Sequence, residues 1–261
     1  RAKAYVGEQI TVTYDLFTRF EINDIGGLRP AYNNFWSEKI VDLSETRKYK
    51  FVRKTVNGKQ YVTSLVRKDA IFPLASGELK IDEQELPVQI ATPSQSFFDF
   101  GSVQNVKTLT KLLTITVLPL PEGKPAEFTG GVGRFTMTAE LDRTSTTGSE
   151  PINLTIKVSG TGNIRLIEKP VIPAITGLKI LDPEIKDQVQ TSGDVIKGSK
   201  TFRYPVIHQA DGKYVLSAIK MAYFDPSDKS YHTLQSKVLE CTATGCTPNA
   251  PLVEATGLKV L

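Results

Sequence analysis

Apolar and polar residues alternate along much of this chain, which predicts β-strands. The clearest case runs from Arg134 to Asp142, and its apolar positions are Phe135, Met137, Ala139 and Leu141. A period of two is typical of a strand with one buried and one solvated face. No stretch shows a long helical period. The pattern therefore predicts an all-β protein with little helix.

The same strand pattern occurs twice, in the same order. Three pairs of segments correspond at offsets of 142, 135 and 126 residues: 8–16 with 150–158, 72–81 with 207–216, and 113–117 with 239–243. The order is kept and the offset only shrinks, as expected for a second copy with shorter loops. This self-similarity predicts a duplicated β unit.

The length of 261 residues suits two sandwich domains of about 120 residues each. Three prolines within Pro119–Pro125 indicate a boundary between folding units. We therefore predict two tandem immunoglobulin-like β-sandwich domains. They comprise residues 1–120, here called the first repeat, and 126–246, the second repeat, with 247–261 as a linker or tail. Strand 134–142 has no counterpart after residue 1, so the first strand of the first repeat is expected upstream.

Asn57-Gly58 is the strongest hairpin signal in the sequence. A two-residue turn would pair Val56 with Lys59 and give the hairpin two unlike faces. The apolar face, expected to point inward, carries Tyr49, Phe51, Val62 and Val66. The cationic face carries Lys48, Lys50, Lys54, Lys59 and Arg67. It is either a solvated strand face or a surface that docks to an acidic protein or anionic lipid.

Two aromatic clusters lie between predicted strands, at 32–36 and 97–100. They either fold over the ends of the sandwich cores or form a protein-contact patch. In the second interpretation Trp36 is an anchoring residue, and Phe35 is a further candidate for contact with a partner.

Residues suited to catalysis or metal binding are few. The only histidines are His208, expected at a surface corner, and His232. Asp225, Asp228 and His232 resemble a ligand set, but an Asp-Pro-Ser-Asp sequence is better explained as a turn. The Gly130–Gly133 cluster precedes a strand, whereas a phosphate loop opens a helix, so backbone crowding is the better explanation. We predict no catalytic residue, cofactor, metal site or small-molecule ligand.

The remaining composition is that of a globular protein, with a net charge of +4 and no apolar run of about 20 residues. Neither strong basicity nor an aromatic platform favours nucleic acid as a partner. Cys241 and Cys246 flank a short turn. They either form a local disulfide or remain as a buried Cys241 and a free Cys246.

Seven ordered strings resemble BatD, the oxygen tolerance protein of bacterial Bat (Bacteroides aerotolerance) operons. They lie at residues 5–14, 35–38, 118–121, 130–135, 150–154, 160–163 and 223–226. The resemblance implies the periplasmic part of a protein anchored in the inner membrane. It also implies operon partners, namely MoxR-type AAA+ ATPases and von Willebrand factor A-domain (VWA) membrane proteins. The family has no established catalytic residues.

Sequence and resemblance together predict a non-enzymatic scaffold in an aerotolerance or envelope stress system, contacting VWA-domain partners. Its candidate contact residues are Trp36, Phe35, Lys48, Lys50 and Lys54. The alternative is a carbohydrate- or lipid-binding sandwich, which would need exposed, coplanar aromatic rings near Tyr32 and Trp36.

Overall fold

The computed structural model describes residues 3–92, 102–148 and 150–246. These residues form 20 β-strands, one four-residue helix α1 (Leu43–Thr46) and one 3₁₀ turn (Ile164–Leu166). The all-β prediction is confirmed. Within the described ranges, no helix has the length and apolar character needed to cross a membrane. The second aromatic cluster and the predicted tail 247–261 lie outside the described residues.

The first repeat forms three sheets, ordered β2-β6-β4, β1-β10-β7 and β3-β8-β9, with β5 also paired to β6. Their strands are β1 Lys3–Tyr5, β2 Ile10–Thr18, β3 Glu21–Ile25, β4 Phe35–Asp42, β5 Val52–Val56, β6 Lys59–Pro73, β7 Gly77–Ile81, β8 Glu85–Thr92, β9 Ser102–Leu109 and β10 Leu113–Leu118. Alternate side chains from these sheets meet in one buried apolar cluster that includes Val12, Val66 and Ile115. Burial of this cluster is the main stabilising contribution to the first repeat.

The second repeat has a large sheet, ordered β14-β16-β13-β11-β18-β19 with β15 also paired to β16, and a small sheet, β12-β20-β17. Its strands are β11 Phe128–Leu141, β12 Ser145–Thr147, β13 Ile152–Gly162, β14 Leu178–Ile180, β15 Glu184–Ser192, β16 Val195–His208, β17 Gly212–Leu216, β18 Lys220–Asp225, β19 Ser230–Gln235 and β20 Leu239–Thr244. A second, separate apolar cluster fills the space between them and includes Phe135, Ile156 and Phe202.

Strand registers reproduce the duplication read from the sequence. Ile10 lies opposite Ile71 in the first repeat, and Ile152 lies opposite Val206 in the second. The small sheets also correspond. Ile81 pairs with Leu113 in the first repeat, and the residues at the predicted offsets of 135 and 126, Leu216 and Leu239, pair in the second. A short parallel strand adds to this sheet in both copies, as β1 on β10 and as β12 on β20.

The repeats differ in the strands that flank β2 and its equivalent in the second repeat, β13. β13 has two sheet neighbours, β16 and β11, whereas β2 has β6 alone among the described strands. β11 begins at Phe128, earlier than predicted, so the glycine cluster lies inside the strand. A Cβ at Gly133 would overlap the backbone of Thr161, which agrees with the crowding expected at this cluster.

A third, small apolar cluster joins the two repeats. It consists of Ala70 and Phe72 of β6 packed with Ile196 of β16, all three buried. Polar contacts surround it: the Asp194 carbonyl accepts hydrogen bonds from the side chains of Gln9 (2.7 Å) and Thr11 (3.0 Å). The β15–β16 hairpin of the second repeat therefore docks directly on the first repeat.

Candidate functional site

Trp36 lies at the edge of this inter-repeat junction. It stands opposite Phe72 in the β4–β6 pair, and its side chain is 42% exposed. The indole Nε1 donates to Glu38 over 3.0 Å, and Glu38 in turn pairs with Arg165 of the second repeat at 2.5 Å. A half-exposed indole held by a salt bridge between repeats offers an oriented, partly apolar contact surface.

The neighbours of Trp36 do not share its exposure. Phe35 is buried in the core of the first repeat, so its prediction as a contact residue is wrong. The cause is the period of the strand: Phe35 and Trp36 are consecutive in β4 and must point to opposite faces. The Tyr32 hydroxyl donates to Asp69 over 2.7 Å, beneath the surface. Tyr32 and Trp36 therefore do not form the exposed aromatic pair that a carbohydrate site needs.

The cationic surface predicted from the Asn57-Gly58 hairpin forms only in part. Strand β5 pairs with β6 in the predicted register, with Val56 opposite Lys59. It begins at Val52, however, so residues 47–51, the first half of the predicted strand 47–56, connect α1 to β5 without forming a strand. Four lysines are exposed and together constitute the lysine surface: Lys48, Lys50, Lys54 and Lys59. Phe51 is also exposed, contrary to the expectation that it points inward.

Arg67, expected on the same cationic face, is instead enclosed by carboxylates. Its guanidinium pairs with Asp69 at 2.7 Å and Asp42 at 2.9 Å, and it also donates to the Leu28 carbonyl at 3.1 Å. Burial alone would lower the pKa of Arg67, but these two carboxylates raise it, so the charge is retained. Arg67 thus fastens the loop at Leu28 to β6, and it is unavailable to a partner.

A chain of buried hydrogen bonds extends this cluster. The Tyr14 and Tyr32 hydroxyls lie 3.0 Å apart, and Tyr32 continues to Asp69. Burial, together with the bonds to Tyr14 and Asp69, raises the pKa of Tyr32. Sequence reasoning missed this network because its members come from separate strands and loops. The Arg67-Lys-Asp69 charge pattern between the apolar segments 65–66 and 70–72 of β6 was the available signal.

The structure brings Asp225, Asp228 and His232 together, with one donor atom of each within 4.8 Å of the others. The atoms that could bind a metal already have hydrogen-bond or ion-pair partners within the protein. Asp225 accepts from the Arg134 guanidinium at 2.7 Å and from the Ser227 amide at 2.8 Å, and His232 contacts Asp228 at 2.7 Å. Burial opposes ionisation of Asp225, but the bonds from Ser227 and Arg134 hold its pKa below the usual value. The Arg134 guanidinium and the Ser227 amide thus occupy the Asp225 carboxylate within a turn. This agrees with the interpretation of Asp225–Asp228 as a turn.

His208 is buried, contrary to the expected surface corner. Its position in β16 points inward, and its Nε2 lies 3.4 Å from the Cys241 sulfur. Burial lowers the pKa of His208 and raises that of the Cys241 thiol. A reactive cysteine needs a lowered pKa and access to solvent. This Cys–His pair has neither, so it is a core contact.

The two cysteines are free thiols. Cys241 points into the core of the second repeat from β20, whereas Cys246 lies past the end of that strand and donates to the Gly148 carbonyl at 3.3 Å. The structure thus shows the second of the two alternatives, a buried Cys241 and a free Cys246, and the disulfide is absent from it.

Comparison with known proteins bears on the second repeat. A search of curated proteins returns no match. Among solved structures, the collagen adhesin (CNA) from S. aureus covers 93% of this chain and 92% of its own, at 11% identity and a TM-score of 0.20, values that support no conclusion about this chain. The family model described as BatD DUF11 like domain matches residues 139–243, which make up most of the second repeat.

Proposed function

We propose that this protein is a non-enzymatic interaction module of the BatD type, acting in the bacterial periplasm as part of a protein anchored in the inner membrane. Its partners in this proposal are the VWA-domain membrane proteins of the Bat system, which act together with MoxR-type ATPases. The observation that carries the proposal is the BatD match over residues 139–243. Envelope stress or aerotolerance is the process in which such a complex would act.

The junction between the repeats supports a scaffold role. Apolar packing of Phe72 on Ile196 and the salt bridge from Lys68 to Asp194 at 2.6 Å hold two β units against each other. Since a pre-ordered surface loses less entropy on binding, a fixed pair of sandwiches suits partner recognition. Trp36 at this junction and the lysine surface, which lies toward the opposite end of β6, are the two contact sites that we propose.

Co-purification from membranes tests this function. The tagged protein should recover VWA-domain partners, identified by mass spectrometry. Trp36→Ala should reduce recovery by about tenfold, the usual effect of removing an anchoring tryptophan. Charge reversal of Lys48, Lys50 and Lys54 should slow association and make the residual binding less sensitive to salt.

Matched variants separate these effects from general surface changes. Phe20→Ala removes another exposed aromatic ring, and Lys186→Glu, Lys220→Glu and Lys237→Glu together reverse three exposed charges on the second repeat. These controls should leave recovery intact. Unchanged recovery with Trp36→Ala and with the lysine variant would refute both contact sites, and failure to recover any VWA-domain protein would refute the proposed partners.

A further inference from the structure

Arg165 of the second repeat has a carboxylate of each repeat within reach. It lies in the 3₁₀ turn Ile164–Leu166. Its Nε is 2.5 Å from Glu38 of the first repeat, and its Nη1 is 3.5 Å from Asp187 of the second. Strong charge-assisted hydrogen bonds are short, so Arg165 pairs mainly with Glu38 in this structure. Asp187 is its alternative partner.

The pair with Glu38 fixes the orientation of Trp36. The Glu38 oxygen that meets Arg165, Oε1, also accepts the hydrogen bond from the Trp36 indole at 3.0 Å. These three side chains line one narrow cleft at the junction, together with Phe72 and Ile196. A glutamate side chain gains rotational entropy when it is released. Loss of Arg165 would therefore free Glu38, and the indole would lose its fixed acceptor.

Asp187 is an incompletely satisfied acceptor. It stands opposite Lys200 in the β15–β16 pair, and its Oδ1 is buried without a hydrogen bond from any residue that the structure describes. Lys200 Nζ lies 3.9 Å from that oxygen, beyond hydrogen-bond distance. Because a buried acceptor without a donor costs free energy, a guanidinium that turned toward Asp187 would be stabilised there.

Lys200 opposes that second position. Its side chain is buried, and its ammonium donates to the Arg165 carbonyl at 2.7 Å, which holds the 3₁₀ turn against β16. Burial lowers the pKa of Lys200 and Asp187 opposes this shift, so Asp187 is the counter-charge of a buried ammonium. One carboxylate thus serves two cations. Lys200 competes with Arg165 for Asp187 and leaves the guanidinium available to Glu38.

We propose that Arg165 is a positioning residue for the Trp36 contact site and acts as a two-position switch. Paired with Glu38, it holds the indole in its binding orientation. Paired with Asp187, it releases Glu38 and Trp36. This inference rests on the proposed role of Trp36 in partner contact, and it adds that a residue of the second repeat controls a contact site on the first.

The switch links partner binding to the junction between the repeats. A partner that binds the oriented indole favours the Glu38 position of Arg165. Because coupling between two sites is reciprocal, the same partner strengthens the salt bridge that joins the repeats. Conversely, separation of the repeats removes Arg165 from Glu38 and releases the indole. The two states differ in defined contacts, as such a coupling requires.

Trp36 is the only tryptophan in the chain, so a single indole Nε1–H resonance reports on it. In ¹⁵N-labelled protein, exchange of this hydrogen with water measures how firmly the indole is held. Arg165→Gln should speed exchange by up to about fivefold, as expected for loss of a partly exposed ion pair. Asp187→Asn weakens the alternative position and should slow exchange. Arg143→Gln removes an ion pair with Glu150 inside the second repeat and should change nothing.

Opposite effects of the two variants identify a switch, because a purely structural role would speed exchange in both. Arg165→Lys keeps a cation opposite Glu38 and should restore part of the slow exchange, a comparison that stands even where Asp187→Asn does not fold. Thermal unfolding checks that each variant is folded. Unchanged exchange with Arg165→Gln, exchange equally fast in the Gln and Lys variants, or faster or unchanged exchange with Asp187→Asn would overturn the proposal.

Recovery of VWA-domain partners is measured separately with the same variants. Arg165→Gln should reduce recovery, and Arg143→Gln should not. If Arg165→Gln releases the indole and recovery stays intact, the contact site proposed at Trp36 is wrong while the switch itself stands. If the indole is not released, the switch is wrong whatever the recovery shows.

Discussion

The backbone amide of Ile196 donates a hydrogen bond to the side-chain oxygen of Gln9 over 2.9 Å, joining positions 187 residues apart. Ile196 also packs its side chain on Phe72 of the first repeat. The tip of the β15–β16 hairpin therefore contacts the first repeat through both apolar and polar groups, in addition to the Glu38–Arg165 salt bridge. Several measurable consequences come from this arrangement and from the buried groups around it.

Phe72→Ala should loosen this junction. The side chain is 1% exposed, so its truncation should cost about 3–5 kcal/mol of unfolding free energy. Because Phe72 joins the repeats, the variant should also let them tumble separately, which ¹⁵N relaxation measures. Phe202→Ala makes the same chemical change in the core of the second repeat and should destabilise without separating them. Common tumbling in the Phe72 variant would contradict the junction.

Protonation of His208 should destabilise the fold. Burial lowers its pKa in the folded state, so the unfolded chain binds the proton first as pH falls. Stability should therefore be highest above the unfolded pKa of about 6.5 and decrease below it, by at most about 1.4 kcal/mol per pH unit. Denaturant unfolding between pH 7.5 and about 5 measures this slope.

The matched histidine variants isolate that effect. His208→Gln should flatten the slope in this range, and His232→Gln, the same change at the other histidine, is measured beside it. A slope that persists without His208 would assign the pH dependence to other groups.

Gly133→Ala should destabilise the second repeat more than Gly212→Ala does. Both glycines have positive φ angles, +142° and +154°. A Cβ at Gly133 would strike the backbone of Thr161, whereas one at Gly212 meets nothing within 4 Å. Backbone strain costs about 1–3 kcal/mol in both, and the overlap adds to it only at Gly133. Equal melting temperatures for the two variants would refute the close β11–β13 approach.

Thiol chemistry should report two free cysteines. Cys241 is buried and its pKa is raised, so it should react with a thiol reagent only on unfolding. Cys246 is partly accessible and should react first. Addition of a reductant should leave the melting temperature unchanged. A reductant-dependent loss of stability would show that the two thiols form a disulfide after all.

The sequence predicted those features of the fold that depend on neighbouring residues or on the repeat. The Asn57-Gly58 turn fixed the β5–β6 register, and both of its residues adopt the positive φ angles that this turn requires. The offset between Ile10 and Ile152 correctly anticipated equivalent partners in two sheets. Short-range geometry and duplication are both visible in a single sequence.

Contacts between distant segments were not predictable in the same way. His208 was expected at the surface because its aligned partner, Pro73, suggested a corner, but β14 and Cys241 cover it. Arg67 was predicted to be a surface cation, but it forms an ion pair with Asp42, which lies on a different strand, β4. Such burial depends on which sheets pack together, and alternation along one strand does not specify that packing.

Crosslinking in intact cells, followed by mass spectrometry, tests the scaffold role most directly. An amine-reactive reagent should link Lys48, Lys50 or Lys54 to a VWA-domain membrane protein, and a photoreactive residue at position 36 should label the same partner. Crosslinks that stay within the chain, or that reach only proteins unrelated to the Bat system, would contradict the proposed function.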